Sequence, residues 1–190
     1  MSRPEPPAGQ IILTYDDYLT LPDDNNRYEI LEGVLYVTPS PTTRHQRVSR
    51  NLGFLLMQYV EENNLGEIFY APYDVILSDI SVTQPDLIFV SRARRHIITR
   101  DNVQGAPDLV VEILSPATRE RDKLTKAQIY ARYGVDYYWI LDPSAKTLEE
   151  YRREGDAFHL VGRYQGAEMV RTTLFPEWEL DLGRVFRIPD

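Results

Sequence analysis

The pattern of apolar and polar positions along the chain divides it into alternating helical and extended segments. After a Pro-rich start, "TYDDYLTLP" (14–22) offers Thr14 as an N-cap and then Tyr15, Tyr18 and Leu19 at helical spacing, which predicts a short helix stopped by Pro22. "RYEILEGVLYVTP" (27–39) alternates around Glu32-Gly33 and predicts a hairpin. "TTRHQRVSRNLGFLLMQYVEENN" (42–64) predicts a long amphipathic helix with Val48, Leu52, Leu55, Leu56, Tyr59 and Val60 as its buried stripe. "EIFYAPYDVILS" (67–78) and "QPDLIFVS" (84–91) read as an antiparallel pair of strands. "DLVVEILS" (108–115) is almost continuously apolar, as expected of a central strand covered on both faces. Residues 119–134 read as a helix ended by Gly134, and 136–143 as another buried strand. "TLEEYRRE", "AFHLVGRYQ" and "MVRTTLFP" predict an antiparallel meander at the sheet edge. The expected fold is therefore one α/β domain, bordering on α+β, with a mixed central sheet flanked by helices over residues 13–190, preceded by a mobile tail over 1–12.

The chain has 190 residues, enough for one domain with a substantial core. It has no cysteine, which excludes disulfides and thiolate chemistry and suits a reducing compartment. The first ten residues lack the apolar core of a signal peptide, and no run approaches the ~20 apolar residues of a membrane span. A cytoplasmic protein without membrane contact is the expectation. The net charge of −8 argues against a general basic coat, while leaving room for a local basic patch or an acidic metal site. The basic run "SRARRHIITR" (91–100) reads as a solvated loop or turn.

The chemistry starts from Glu112, a lone carboxylate in an apolar strand. Burying such a group unpaired is unfavourable. Strand side chains alternate faces, so Asp86, Ile88 and Val90 share one face of their strand, and Asp108, Val110, Glu112 and Leu114 share one of theirs. If these strands are neighbours, Asp86 and Glu112 converge. Two buried carboxylates repel, and a divalent cation removes the conflict. Mg²⁺ (or Mn²⁺) favours a few carboxylates with carbonyls and waters, and the Ile113 carbonyl is placed to join. On the following helix, Asp122, Lys126, Ile129 or Tyr130, and Tyr133 fall on one stripe, which aims Lys126 along the covered face, where it could orient a water or steady charge on a phosphate. The plain structural alternative for Glu112 is a buried ion pair with Arg119, Lys123 or Lys126. For Asp86 it is a turn or cap residue, and for Lys126 a solvated helix lysine. Asp108 repeats the "PDL" phrase, but it lies four residues before Glu112 at the far end of the strand, so Asp86 is preferred.

"QPDLIFV", "PDLVVEILSPATRERD", "YEILEGVLY", "RHQRVSRNL", "APYDVILSD" and "YARYGVDYYWILDP" together resemble the PD-(D/E)XK nuclease superfamily. Within it, the chain is most similar to the widespread bacterial family of restriction-endonuclease-like proteins, over roughly residues 14 to 182. The resemblance implies a restriction-endonuclease-like fold and a metal-dependent endonuclease acting on DNA. Asp86 and Glu112 would hold the cation and Lys126 would position the attacking water, with the two strand cleavages suited to a homodimer. It further implies that Glu29 points at the site. Beside these, the residues themselves offer second-tier candidates: His45 at the start of the long helix to hold a phosphate or tune an acid, Gln84 before Pro85-Asp86 to bind a metal water, and Tyr130 to contact substrate. One departure stands out. The superfamily lysine two positions after the acidic residue is here Leu114. The family resemblance implies that Lys126 has migrated to the next helix to replace it, with Lys123 as the competing candidate. Two rival classes remain: a catalytically silent nuclease fold that binds nucleic acid or a protein, and a metal hydrolase of small phosphorylated substrates.

Overall fold

The computed structural model describes residues 11–24 and 26–187; most of the expected mobile tail over 1–12 lies outside them. The first helix, α1, covers only Tyr15–Tyr18 and ends before Pro22 is reached. Thr14 and Asp17 form a reciprocal capping box that fixes its start. Strands β1 (Arg27–Leu31) and β2 (Val34–Thr38) make the expected hairpin, in register from Leu31↔Val34 to Arg27↔Thr38. Its two-residue turn needs left-handed backbone at both positions, and Glu32 (φ 51) and Gly33 (φ 81) supply it. The less suited Glu32 is held by Arg132, Tyr133 and Ser81, all within 3.0 Å.

Helix α2 (Thr43–Glu62) starts at the Thr42 N-cap and buries Val48, Leu52, Leu55, Leu56 and Val60 as the periodicity predicts. Tyr59 is only half-buried, stacked on Trp178 at 5.2 Å between ring centroids. The extended segment expected over 67–78 is in fact two strands in two different sheets. β3 (Gly66–Tyr70) pairs antiparallel with β6 (Leu87–Ser91), while β4 (Val75–Ser78) pairs with β5 (Ser81–Thr83) and β7 (Val103–Gln104). Alternation alone cannot reveal that the chain changes layer at "APYD".

β8 (Leu109–Ile113) is buried along its whole length and lies parallel to β9 (Tyr137–Asp142) and antiparallel to β6. The helix expected between β8 and β9 begins as a π-helical turn, Arg121–Lys126, and continues as α3 (Ala127–Tyr133) to a left-handed Gly134. β10 (Thr147–Glu154) and β11 (Ala157–Gln165) complete a six-stranded sheet in the order β11-β10-β9-β8-β6-β3. The third meander strand is not there. Only Met169–Val170 (β12) is extended, and it pairs with Leu180–Asp181 (β13), after which Leu182–Val185 forms the short α4. The first hairpin joins a separate five-stranded sheet, β2-β1-β5-β4-β7.

The six-stranded sheet is covered on both faces. On one, Leu52, Leu56 and Val60 of α2 pack with Trp139, Phe175 and Trp178. On the other, Val110, Leu114, Ile140 and Tyr138 pack with Tyr130 of α3 and with Val75 and Val103 of the second sheet. Burying each such side chain contributes roughly 1.5–3 kcal/mol. Glu112 sits on this second face, between Val110 and Leu114, where the two sheets and the π-helical turn meet. The basic run 91–100 is a 3₁₀ helix over Arg92–Ile97 rather than a loose loop, with Arg94 paired to Asp136 (3.3 Å) and Arg95 to Glu67 (2.8 Å).

Candidate active site

The register of β6 and β8 places Leu87 opposite Val111, so one further step brings Asp86 beside Glu112. Both carboxylates line one cleft of about 160 Å³, together with Arg27, His45, Arg121 and Lys126. Asp86 is fixed from three sides. Its Oδ2 accepts the Ile113 backbone N–H at 2.8 Å and lies 3.0 Å from His45 Nε2, and its Oδ1 lies 3.4 Å from Arg27 Nη1. Arg27 also donates to the Gln84 carbonyl. Burial pushes the Asp86 carboxyl up, but His45, Arg27 and the Ile113 amide outweigh it and hold the group below the usual carboxylate range.

Glu112 is in a different electrostatic position. Its Oε1 accepts from Lys126 Nζ at 2.9 Å and from the Tyr130 hydroxyl at 2.8 Å. Burial dominates its ionisation, Lys126 opposes that, and Asp122, Asp86 and Glu29 add repulsion, so its pKa is pushed up to about 8. Lys126 is only 2 % exposed. Its ammonium also lies 2.8 Å from Glu29 and 3.7 Å from Asp122, one helical turn earlier. Burial alone would strip the proton from Lys126; Glu112, Glu29 and Asp122 reverse this and hold it charged, above the ordinary lysine range. Asp122 is raised, chiefly by burial.

Lys126 thus lies against Glu112 as a buried ion pair, the contact that both a migrated lysine and the plain structural alternative would make. Leu114 is packed into the core between the sheets. Lys123 points elsewhere, to Glu149 at 3.0 Å. Asp108 is held at the opposite end of β8 by the Ser91 backbone N–H and hydroxyl. Glu29 reaches the site from β1, behind Lys126, and also accepts the Gln84 N–H at 2.9 Å. His45 reaches it from the first turn of α2. Two expectations are corrected in position. Tyr130 does not face the cleft; it is wholly buried beneath Glu112, because α3 packs that side of the helix against the sheet. The Gln84 side chain turns to Asp74 (2.8 Å) and Tyr18 (3.0 Å) rather than to the cleft.

Sequence reasoning missed three members of the site. Arg27 shares a strand face with Glu29, two residues on, which is a readable signal. Asp122 was visible on the Lys126 stripe but had no assigned role. Arg121, whose guanidinium donates to Thr38 at 2.9 Å and lies over the Tyr36 ring, carries no signal in the sequence.

The donors present can be tested against a divalent cation. Among the described residues no set of three His, Cys, Asp or Glu side chains has metal-cage spacing. A closed all-protein cage is thus not what this site offers. Two neighbouring carboxylates on a cleft, one of them driven toward protonation by burial and then by the other acids, suit the few-carboxylate, water-completed coordination of Mg²⁺. The Ile113 carbonyl leaves the strand on the same side as the N–H that meets Asp86, so it is available as a third oxygen. The fit is to a hard, oxygen-seeking ion.

A mixed sheet with its acidic pair and lysine at one end defines a restriction-endonuclease-like fold. A family model named Uma2, described as "Putative restriction endonuclease", matches residues 15–183, and the chain belongs to that family. Among solved structures, the chain is similar to the crystal structure of "a putative nuclease belonging to DUF820" from Anabaena variabilis ATCC 29413. The TM-score is 0.76 at 21% identity, with 92% of this chain and 97% of that one covered. At that identity the likeness establishes the fold. No curated protein matches the chain. Among the described residues no helix is long and apolar enough to cross a membrane.

Proposed function

We propose that this protein is a divalent-cation-dependent endonuclease that hydrolyses phosphodiester bonds in DNA. The observation that carries the reading is the Lys126 ammonium, 2.9 Å from Glu112 on the cleft that Asp86 also lines. It places a cation beside the acidic pair although the strand position usual for that lysine holds leucine.

Asp86, Glu112 and the Ile113 carbonyl would hold the cation. When bound, a Mg²⁺ or Mn²⁺ ion supplies Lewis acidity toward a phosphoryl oxygen and a lowered pKa for water. The protein's own groups do the rest. Lys126 is held charged, so it acts as a donor and not as a base: it orients the attacking water and meets the negative charge that grows on the phosphate. Glu29 and Asp122 keep that ammonium in place from behind. Arg27 and Arg121 line the cleft and provide the positive side to which a phosphate backbone is drawn, and His45 lines it beside them. Arg27 and His45 in turn hold Asp86 ionised, ready to coordinate. A homodimer, each copy cutting one strand, is the assembly that two-strand cleavage would need.

The deciding experiment incubates supercoiled plasmid and single-stranded DNA with the purified protein and Mg²⁺ or Mn²⁺, beside RNA and nucleotide substrates. Nicked or linear product from the wild type and none from Glu112→Ala supports the reading. Cation binding without cleavage of any polynucleotide would overturn it in favour of a silent binding protein, and turnover of nucleotides alone would point to a small phosphorylated substrate.

A further inference from the structure

A second cationic feature lies on the outer side of α2, beyond the cleft. Arg50, Asn51, Phe54, Leu55, Arg184 and Arg187 surround an open cavity of about 390 Å³, larger than the cleft itself. Its floor is built rather than incidental. The Asn51 amide donates to the carbonyls of Arg184 (3.2 Å), Val185 (3.1 Å) and Arg187 (3.3 Å), tying the end of α4 to α2. Asn51 also accepts from Arg50 at 2.8 Å and so orients that guanidinium. Phe54 stands at the rim, 52% exposed.

Three arginines converge on this cavity. Arg27, Arg94, Arg95, Arg119, Arg121, Arg132, Arg153, Arg163 and Arg171 all have a carboxylate within reach. Among the described residues Arg50, Arg184 and Arg187 have none, nor do Arg44 and Arg47 earlier on α2, nor Arg92 and Arg152; of these only the first three gather on one cavity. The first turn of α2 contains no acidic residue, although the positive end of the helix dipole favours one there. Three arginines without an ion-pair partner among the described residues meet at this cavity, and in a protein of net charge −8 they suit an external anion.

The path to that anion starts at the cleft. His45 of α2 lies on Asp86, and Gln46 and Ser49 line the space beside it, next to Ala71 and Pro72. Arg50 and Phe54 follow one and two turns further on. From His45 to Phe54 the helix rises about 14 Å at ~1.5 Å per residue. The same stretch makes about two and a half turns, so the track passes from the sheet side of α2 at His45 round to its outer side at Phe54.

We propose that α2 guides one polynucleotide strand out of the cleft, and that the Arg50–Arg184–Arg187 cavity is a second subsite. It grips the strand's phosphates at a distance from the bond to be cut, while Phe54 stacks on a base or sugar. Cations beside an exposed aromatic are the combination by which single strands are held without regard to sequence. The proposal deepens the nuclease reading and takes from it only the identity of the ligand.

The test uses the full chain with Glu112→Gln in the background, so that no cleavage interferes, and a fluorescent oligothymidylate of about 20 nucleotides, a length that covers both sites. Anisotropy gives Kd across a salt series. Arg50→Gln/Arg184→Gln/Arg187→Gln should weaken binding on the order of 10- to 100-fold and reduce the salt slope by about 2, at ~0.7 per phosphate contact on a single strand. Phe54→Ala should weaken binding while leaving the salt slope unchanged. The three arginines are exposed and make no ion pairs among the described residues, so the thermal midpoint should not move, and a melt checks this. Unchanged affinity and slope in the triple variant would overturn the subsite even if the wild type is a nuclease. Conversely, dependence on the three arginines in a protein that cuts nothing would leave the subsite standing and remove the nuclease reading.

Discussion

Lys126 Nζ lies 2.9 Å from Glu112 Oε1, across 14 residues of chain that pass out of β8 and through the π-helical turn to its last residue. The lysine reaches back to the strand it follows, and Glu29 at 2.8 Å closes the pair from the first hairpin. Breaking this contact should affect both activity and folding. Lys126→Met leaves Glu112 and Glu29 buried without their cation, which destabilises by on the order of 3–5 kcal/mol. Nuclease activity should fall at least about 100-fold, as for loss of a transition-state donor. Lys123→Ala, outside the cleft, should change neither by much. A plasmid assay with paired thermal melts measures both, and a Lys126→Met protein that cuts at wild-type rate would sink the assignment.

The same geometry can be tested by moving the charge. Leu114 lies two residues after Glu112 on the same strand face, where a lysine can reach the carboxylate. Leu114→Lys alone adds a cation to packed apolar surface and should lower stability by ~2–4 kcal/mol. In Leu114→Lys/Lys126→Met the new lysine gains the vacated carboxylates. Urea unfolding of both proteins should show the double variant losing less than the sum of its parts, with activity at least about tenfold above Lys126→Met. Strict additivity in a double-mutant cycle would show that no such exchange occurs.

The acid cluster makes the metal-free protein pH-sensitive. Folded Glu112 retains its proton up to about 8, whereas the unfolded chain loses it near the ordinary value of 4.5. Between those values the folded state binds more protons, so its stability is greatest at the lower end and declines as pH rises. The raised Asp122 acts in the same direction. The lowered Asp86 and raised Lys126 contribute steadily across that window, since both are charged in folded and unfolded chains. Thermal midpoints measured in chelator should therefore decline from about pH 5 to 8, and Glu112→Gln should flatten the decline. An unchanged profile in Glu112→Gln would show that Glu112 is already ionised at low pH.

Added Mg²⁺ or Mn²⁺ should raise the midpoint of the wild type at pH 8, through binding to the folded state alone. In Asp86→Asn and Glu112→Gln the rise should vanish, and calorimetric titration should lose its binding signal. Without metal, Glu112→Gln should be as stable as the wild type or more so, because it removes a carboxyl whose ionisation burial opposes and keeps an oxygen for Lys126 and Tyr130. A metal-induced shift that survives both substitutions would place the ion elsewhere.

Whatever depends on local periodicity is legible in the linear chain. The hairpin turn at Glu32-Gly33, the buried stripe of α2, the two-sided burial of β8, and the anomaly of Glu112 are all written in residue spacing. Alternation also brought Asp86 and Glu112 to matching faces, because side chains on a strand have only two directions to choose from. Layer membership lies outside such patterns. Nothing in "EIFYAPYDVILS" reveals that its halves belong to different sheets, or that "MVRTTLFP" leaves the meander, since hydrogen-bond partners are chosen by distant segments. The choice between Lys126 and Lys123 likewise required the third dimension. Both lie on the same helical segment, and only its packing against the sheet sends one ammonium to Glu112 and the other to Glu149. Arg27, Arg121 and the inward turn of Tyr130 belong to the same class: each is set by where a neighbouring element docks, and a linear pattern carries no record of that docking.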